Sequence, residues 1–408
     1  MEKKVKPHTK AVHAGDRKRS GSHVPVTTPI NNAVSYFYES MEQLDRVFGR
    51  EEPGFSYSRY DNPTNQALEE LCAALESGHG ALACSSGMAA IHVALLTALT
   101  DRPKSIVAAN AIYGATVSLL MTVLEPMGVA VRFVDICDLA EVERAIAEVK
   151  PGCLLMETVS NPLLRVGQID RVAALAKGAG AALIVDNTFA TPLLVRPIEL
   201  GANMVVHSLT KFLAGHGDVL GGVVVSDAAH YDTLRSLSRI FGPVLGPFES
   251  YLAMRGIKTF AVRVERQCAN ACRVASWLAA RPEIARVYFP ADPAHPDAAA
   301  IRRLLPDSLY GAVVSFELKD AARTEVFRFM NALRLVVPAT SLGDVHSMML
   351  YPAMSSHREI SPKHRERMGI RDSLVRLSLG IEAVEDILAD LEQALSAVSE
   401  KSSATTVV

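Results

Sequence analysis

Three short segments carry residues whose types and spacing can do chemistry. Ser85-Ser86-Gly87-Met88 joins a short apolar run, Ala81–Cys84, to an apolar helical pattern, Met88–Leu99. The free amides and positive dipole end of such a helix N-terminus bind phosphate, and glycine lets the backbone approach the anion closely. Ala182-Leu-Ile-Val-Asp186-Asn187-Thr188 reads as a buried strand ending in an acid, at the sheet edge where open α/β sheets place ligands. Met204-Val-Val-His207-Ser208-Leu209-Thr210-Lys211 reads as another strand, ending in two hydroxyls and a lysine. Taken singly, Asp186 would be a cap and Lys211 a solvated cation. As a set they meet the needs of pyridoxal 5′-phosphate (PLP): a lysine for the Schiff base, an acid that keeps the pyridine nitrogen protonated, and hydroxyls with amides for the phosphate.

Other chemistries lack their minimum parts. Gly78-His-Gly80-Ala-Leu-Ala83 fits a loose dinucleotide fingerprint, but it precedes a strand where the real motif follows one. No GxxxxGK[ST] and no HExxH occur, and the histidines show no close ligand pairing, so no metal is expected. The six cysteines are scattered, with Cys268 and Cys272 at helical spacing and no CxxC, as in a cytosolic protein with reduced thiols.

The elements that must position these residues follow from periodicity. Ser105–Ala109, Val129–Asp135, Cys153–Thr158, Ala182–Asp186, Met204–His207 and Gly221–Val225 are short apolar, β-branched runs. Helical patterns at Thr116–Met127, Leu139–Val149 and Ile169–Gly178 separate the first four of them. This alternation predicts an α/β fold with a mainly parallel sheet covered on both faces, spanning residues 63–257. Residues 1–62, rich in Pro, Ser, Thr, Asn and Tyr, read as an extended arm without a core of its own, apart from a short Met41–Phe48 turn. Residues 258–408 read as a smaller C-terminal α+β domain: a long Thr259–Ala280 helix, strands Gly311–Leu318 and Leu374–Leu379, and a final Val384–Val398 helix. With 408 residues, 49% hydrophobic and 21% charged, the chain is an ordinary globular protein of two to three domains. Lys+Arg 42 against Asp+Glu 44 gives a net charge of −2, so nucleic acid is not the expected partner. The charged start lacks a secretory core, and the most apolar stretch, Ala81–Leu99, is broken by polar residues, so neither export nor a membrane is expected.

Beyond these parts, the chain resembles the cysteine and methionine metabolism family of PLP enzymes. The matching segments are Ser86-Gly87-Met88-Ala89-Ala90, Val185-Asp186-Asn187-Thr188, Ser208-Leu209-Thr210-Lys211 and Arg255-Gly256-Ile257-Lys258-Thr259. Tyr57-Ser58-Arg59-Tyr60, Asn62-Pro63-Thr64, Ser341-Leu342-Gly343-Asp344 and Val375-Arg376-Leu377-Ser378 fit as well. Cystathionine γ-synthase, cystathionine γ-lyase, methionine γ-lyase and the homoserine-ester sulfhydrylases are members. The resemblance implies fold type I, like aspartate aminotransferase, and a homotetramer built from dimers. It also implies roles. Lys211 would carry the cofactor and shuttle the proton, Asp186 would pair with the pyridine nitrogen, Tyr113 would stack on the ring, and Asn161 would bond the ring hydroxyl. Gly87, Met88, Ser208 and Thr210 would hold the phosphate, joined by Tyr57 and Arg59 from a neighbouring subunit's arm. Ser341 and Arg376 would bind the substrate carboxylate, for which arginine's planar fork is suited.

The reaction is written less clearly. Thr340 stands where cystathionine-handling relatives commonly carry Glu. Ala115 follows Tyr113-Gly114 where methionine γ-lyases usually have Cys, and Thr340-Ser341-Leu342 departs from the Ala-Asn that sulfhydrylases typically show. His346 also replaces an acid or lysine. The expected activity is α,γ-elimination from a sulfur amino acid, releasing a thiol, ammonia and a 2-oxo acid. γ-Replacement on an O-acyl-homoserine is the alternative. A non-catalytic PLP-fold binding protein is disfavoured because Lys211, Asp186, Arg376 and Tyr113 are all present.

Overall fold

A computed structural model describes residues 5–18, 23–355, 358, 365 and 369–402. Seven strands form the larger sheet: β1 (Gly80–Cys84), β2 (Ser105–Ala109), β3 (Ala130–Val134), β4 (Cys153–Glu157), β5 (Ala182–Asp186), β6 (Met204–Ser208) and β7 (Gly222–Ser226). Their order is β1-β7-β6-β5-β4-β2-β3. β3, β2, β4, β5 and β6 run parallel, while β7 pairs antiparallel with β6 and β1. β4 is buried throughout and β5 and β6 at all but their last residue, which is why they read as continuous aliphatic runs rather than alternating ones.

Local chemistry fixes the helices that cover this sheet. Asn62 caps Pro63–Glu76 by accepting from Thr64 and Asn65 N–H, and Asp138 does the same for Leu139–Val149. Ser86 caps Gly87–Leu99, whose residues are apolar on nearly every side because it is packed within the large domain.

Five further strands form the second sheet: β8 (Ile284–Tyr288), β9 (Val313–Leu318), β10 (Val337–Pro338), β11 (Met348–Leu350) and β12 (Leu374–Ser378), in the order β10-β11-β12-β9-β8. The Phe260–Ala279 helix joins the two hydrophobic cores: Phe260, Val264 and Cys268 pack into the larger, Ala271, Val274 and Leu278 into the smaller. Among the described residues no helix is long and apolar enough to cross a membrane.

Several elements depart from the periodicity, among them helices Pro7–His13, Ala228–Phe241 and Pro247–Ile257 and strands β10 and β11. The expected Thr116–Met127 helix splits into Gly114–Ser118 and a wider stretch over Leu119–Leu124, where Glu125 N–H donates to Leu120 at 2.9 Å. The Thr122 hydroxyl takes the Ser118 carbonyl at 2.6 Å and competes with the ordinary backbone ladder. β8 at Ile284–Tyr288 has no sequence signature, because this edge strand has no fully buried residue and Arg286 interrupts its apolar run.

Candidate active site

A cavity of about 490 Å³ opens at the carboxyl ends of β4, β5 and β6, below the second sheet. Gly87 and Met88 form one wall at the helix N-terminus. A side-chain carbon on Gly87 would stand 3.0 Å from the Ser208 Cβ, so the turn and the end of β6 are in contact. Ser208 N–H donates to Thr188 Oγ1 at 2.9 Å, and Thr210 Oγ1 accepts from Gly221 N–H at 3.1 Å. Amides and hydroxyls therefore converge on one corner, which suits a phosphate.

Lys211 lies across the cavity, and its Nζ donates to Ser341 Oγ at 2.9 Å. Burial, and then the nearby Arg376 charge, pull its pKa below the ordinary lysine value. Asp186 ends β5, and its Oδ1 accepts from Thr188 N–H at 2.9 Å. Burial raises its pKa, against the Thr188 hydrogen bonds and the neighbouring His207. A buried acid of this kind gains from a cationic partner in the cavity, such as a protonated pyridine nitrogen.

Glu157 was not singled out in the sequence, although the Cys153–Thr158 run shows the same strand-end acid pattern as β5. It pairs in register with Asp186 and is 8% exposed. Its two oxygens accept from Tyr113 N–H at 2.7 Å and Asn161 N–H at 3.1 Å. Burial and the Asp186 charge push its pKa well up, with those two bonds and Arg376 opposing. Glu157 thus fixes the backbone of two residues expected to touch the cofactor. Phe189 also lines the cavity, and its ring lies 5.9 Å from the Arg376 guanidinium; nothing in its sequence position announced it.

Arg376, on β12, is 3% exposed. One terminal nitrogen donates to Asn161 Oδ1 at 2.8 Å and the other to the Ser341 carbonyl at 3.2 Å, while its buried Nε has no partner. Burial lowers its pKa to about 10. Among the described residues it pairs with no carboxylate, so the fork retains donor capacity for a substrate's. Thr340, Leu220 and Leu350 also line it, and among the described residues the only acids in the lining are Glu157 and Asp186.

Tyr57 and Arg59 stand elsewhere. Arg59 donates to the Arg239 carbonyl and lies 4.8 Å from the Tyr60 ring, in a separate groove with Asp61 and Arg239. His346 also lies outside the cavity, its ring 66% exposed and 3.1 Å from Asp344 Oδ1.

A lysine, a strand-end acid and a helix-N-terminal phosphate corner on this doubly covered sheet define a PLP-dependent enzyme of fold type I. Residues 8–396 match the family described as Cys/Met metabolism PLP-dependent enzyme, and the chain belongs to that family. It is 40% identical to the L-methionine gamma-lyase of Fusobacterium nucleatum subsp. polymorphum over 396 residues, covering 96% of this chain and 98% of that one. It is 38% identical to the O-succinylhomoserine sulfhydrylase of Pseudomonas aeruginosa, covering 96% and 95%. Among solved structures, cystathionine gamma synthase from Xanthomonas oryzae pv. oryzae, in complex with aminoacrylate and cysteine, superposes with a TM-score of 0.90 at 34% identity, covering 97% and 99%. PLP is its cofactor, and sulfur amino-acid metabolism is its field.

Proposed function

We propose that the enzyme catalyses α,γ-elimination on a sulfur amino acid with an uncharged γ-substituent, releasing a thiol, ammonia and a 2-oxo acid. PLP supplies the electron sink for charge developing beside the substrate nitrogen. The chain's residues do the rest. Arg376 and Ser341 hold the carboxylate; Lys211, with its depressed pKa, accepts and returns protons. Gly87, Met88, Ser208 and Thr210 would hold the cofactor's phosphate, Asn161 its ring hydroxyl and Tyr113 its ring.

The observation that carries this reading is the contrast within one cavity. A buried arginine with an unpartnered Nε faces in, while Thr340 and its apolar neighbours offer the γ-substituent no charge. γ-Replacement is the second reading, because the same residues serve it and a sulfhydrylase is among the similar proteins. The separating experiment is a panel of methionine, cystathionine, homocysteine and O-acyl-homoserines, each with and without added thiol. 2-Oxo acid formed without thiol supports elimination, and thioether formed only with thiol supports replacement.

The oligomer belongs to the same proposal. Among the described residues the cations lining the cavity are Lys211 and Arg376, and neither stands at the phosphate corner's helix N-terminus. Tyr57 and Arg59, on an arm that leaves Phe37 90% and Met41 73% exposed, would supply a neighbour's phosphate in a cytoplasmic homotetramer.

A further inference from the structure

The Phe260–Ala279 helix carries an internal polar stripe. Arg263, Gln267 and Asn270 are 4%, 0% and 1% exposed, among apolar neighbours that build the cores. Among the described residues none of the three pairs with a carboxylate. Each gives its donors mainly to backbone carbonyls. Arg263 reaches Phe212 at 3.0 Å, Leu213 at 3.1 Å and Gly256 at 2.9 Å. Gln267 Nε2 donates to the Asp344 carbonyl at 2.6 Å, and Asn270 to Gly380 at 3.0 Å.

These carbonyls lie where the two halves of the site meet. Phe212 and Leu213 directly follow Lys211, and Asp344 ends the Ser341-Leu342-Gly343-Asp344 loop. The loop lies against the lysine turn: Gly343, at φ +78, has no room for a side chain beside Phe212, and Val345 N–H donates to the Gly215 carbonyl at 3.0 Å. One turn of helix therefore separates the residue that grips the lysine segment from the one that grips the carboxylate loop. Gln267 also leaves its own Oε1 buried and unpartnered. An apolar side chain of the same shape would avoid that cost, so the amide's value is the bond it donates to the Asp344 carbonyl.

We propose that Gln267 is a positioning residue. By holding the Asp344 carbonyl on the helix whose Arg263 holds the Lys211 turn, it sets Ser341 between Lys211 and Arg376 and so sets the grip on the substrate carboxylate. This rests on the reading of Arg376 and Ser341 as the carboxylate site.

The test compares wild-type, Gln267→Met and Gln267→Asn holoenzymes by calorimetric binding of 4-methylthiobutanoate, a carboxylate without an amino group, beside steady-state kinetics. Methionine keeps the shape and loses the donor; asparagine keeps the amide and withdraws it by one methylene. Both variants are expected to retain cofactor absorbance and to raise Kd and KM about five- to tenfold, with kcat changing less than KM. Unchanged Kd in a folded variant, even one with a lowered melting temperature, would overturn the proposal. Arg376→Lys is the control: if it too leaves Kd unchanged, the carboxylate reading fails instead.

Discussion

At the scale of single residues, the site places two cationic side chains, Lys211 and Arg376, in one cavity and leaves both easier to deprotonate than in water. The sign of the consequence is definite. Because the folded Lys211 pKa lies below 10.5, the unfolded chain binds more protons between the two values, and apoprotein stability rises with pH across that window. Lys211→Met apoprotein should therefore melt higher than wild-type apoprotein at pH 7, and the gap should close as pH approaches 10.5. A gap independent of pH, followed by thermal denaturation, would mean that the amine is not buried with its charge. A second prediction concerns the distal wall. Thr340→Glu should favour cystathionine over methionine in kcat/KM by about 1–2 kcal/mol, because a carboxylate there can pair with the distal ammonium. An unchanged ratio, with cofactor bound in both, would mean that Thr340 does not face the γ-substituent. Lys211 and Asp186 stand out in the sequence only as a set: either alone reads as a cap or a solvated cation, but an acid ending one buried strand and a lysine just past the end of another share one sheet edge. Glu157 had the same signature and was passed over, since its contacts are to backbone amides of Tyr113 and Asn161 that no spacing rule brings near.

At the scale of elements, agreement follows from how strongly each segment's own chemistry decides its form. Ala182–Asp186, Leu139–Val149 and Ile169–Gly178 have the bounds read from sequence: the strand by its two-sided burial, the first helix by its Asp138 cap, and the second by an apolar stripe at Ile169, Val172, Ala173 and Ala176. The Ser85–Met88 turn was equally plain as a strand-to-helix junction. What the sequence could not show was its support from β7, two-thirds of the large domain away in chain order. A side-chain carbon at Gly222 would run into the Ser86 carbonyl, which is backbone and cannot swing aside. Gly222→Ala should therefore cost about 1–3 kcal/mol of stability and weaken cofactor retention together, as the phosphate turn is pushed off β7. Melting curves with and without added PLP check this. A loss of stability with full cofactor affinity would separate the turn from the phosphate.

At the scale of the whole molecule, the arm is where one chain stops explaining itself. It exposes large apolar side chains, and its Arg59 stands in a groove apart from the cavity, with Tyr57 likewise outside the cavity lining. If they complete a neighbour's site, inactive Lys211→Ala and inactive Arg59→Ala chains should regain part of the activity on mixing, since a hybrid pair contains one site with both residues intact. No recovery after confirmed subunit exchange would mean that the arm serves its own chain. The sequence reads residues 1–62 as an arm from their missing core; in the structure their Pro7–His13 helix sets Ala11 into the larger core, a contact that periodicity does not announce. The reaction itself is tested most directly by following L-methionine with holoenzyme and no added thiol, for wild type and Lys211→Ala side by side. Wild type is expected to release 2-oxo acid, ammonia and thiol in equal amounts, and Lys211→Ala none while its fold is kept. Turnover by Lys211→Ala within about tenfold of wild type, or no 2-oxo acid from wild type with a thioether product appearing only when a thiol is supplied, would contradict elimination at this site.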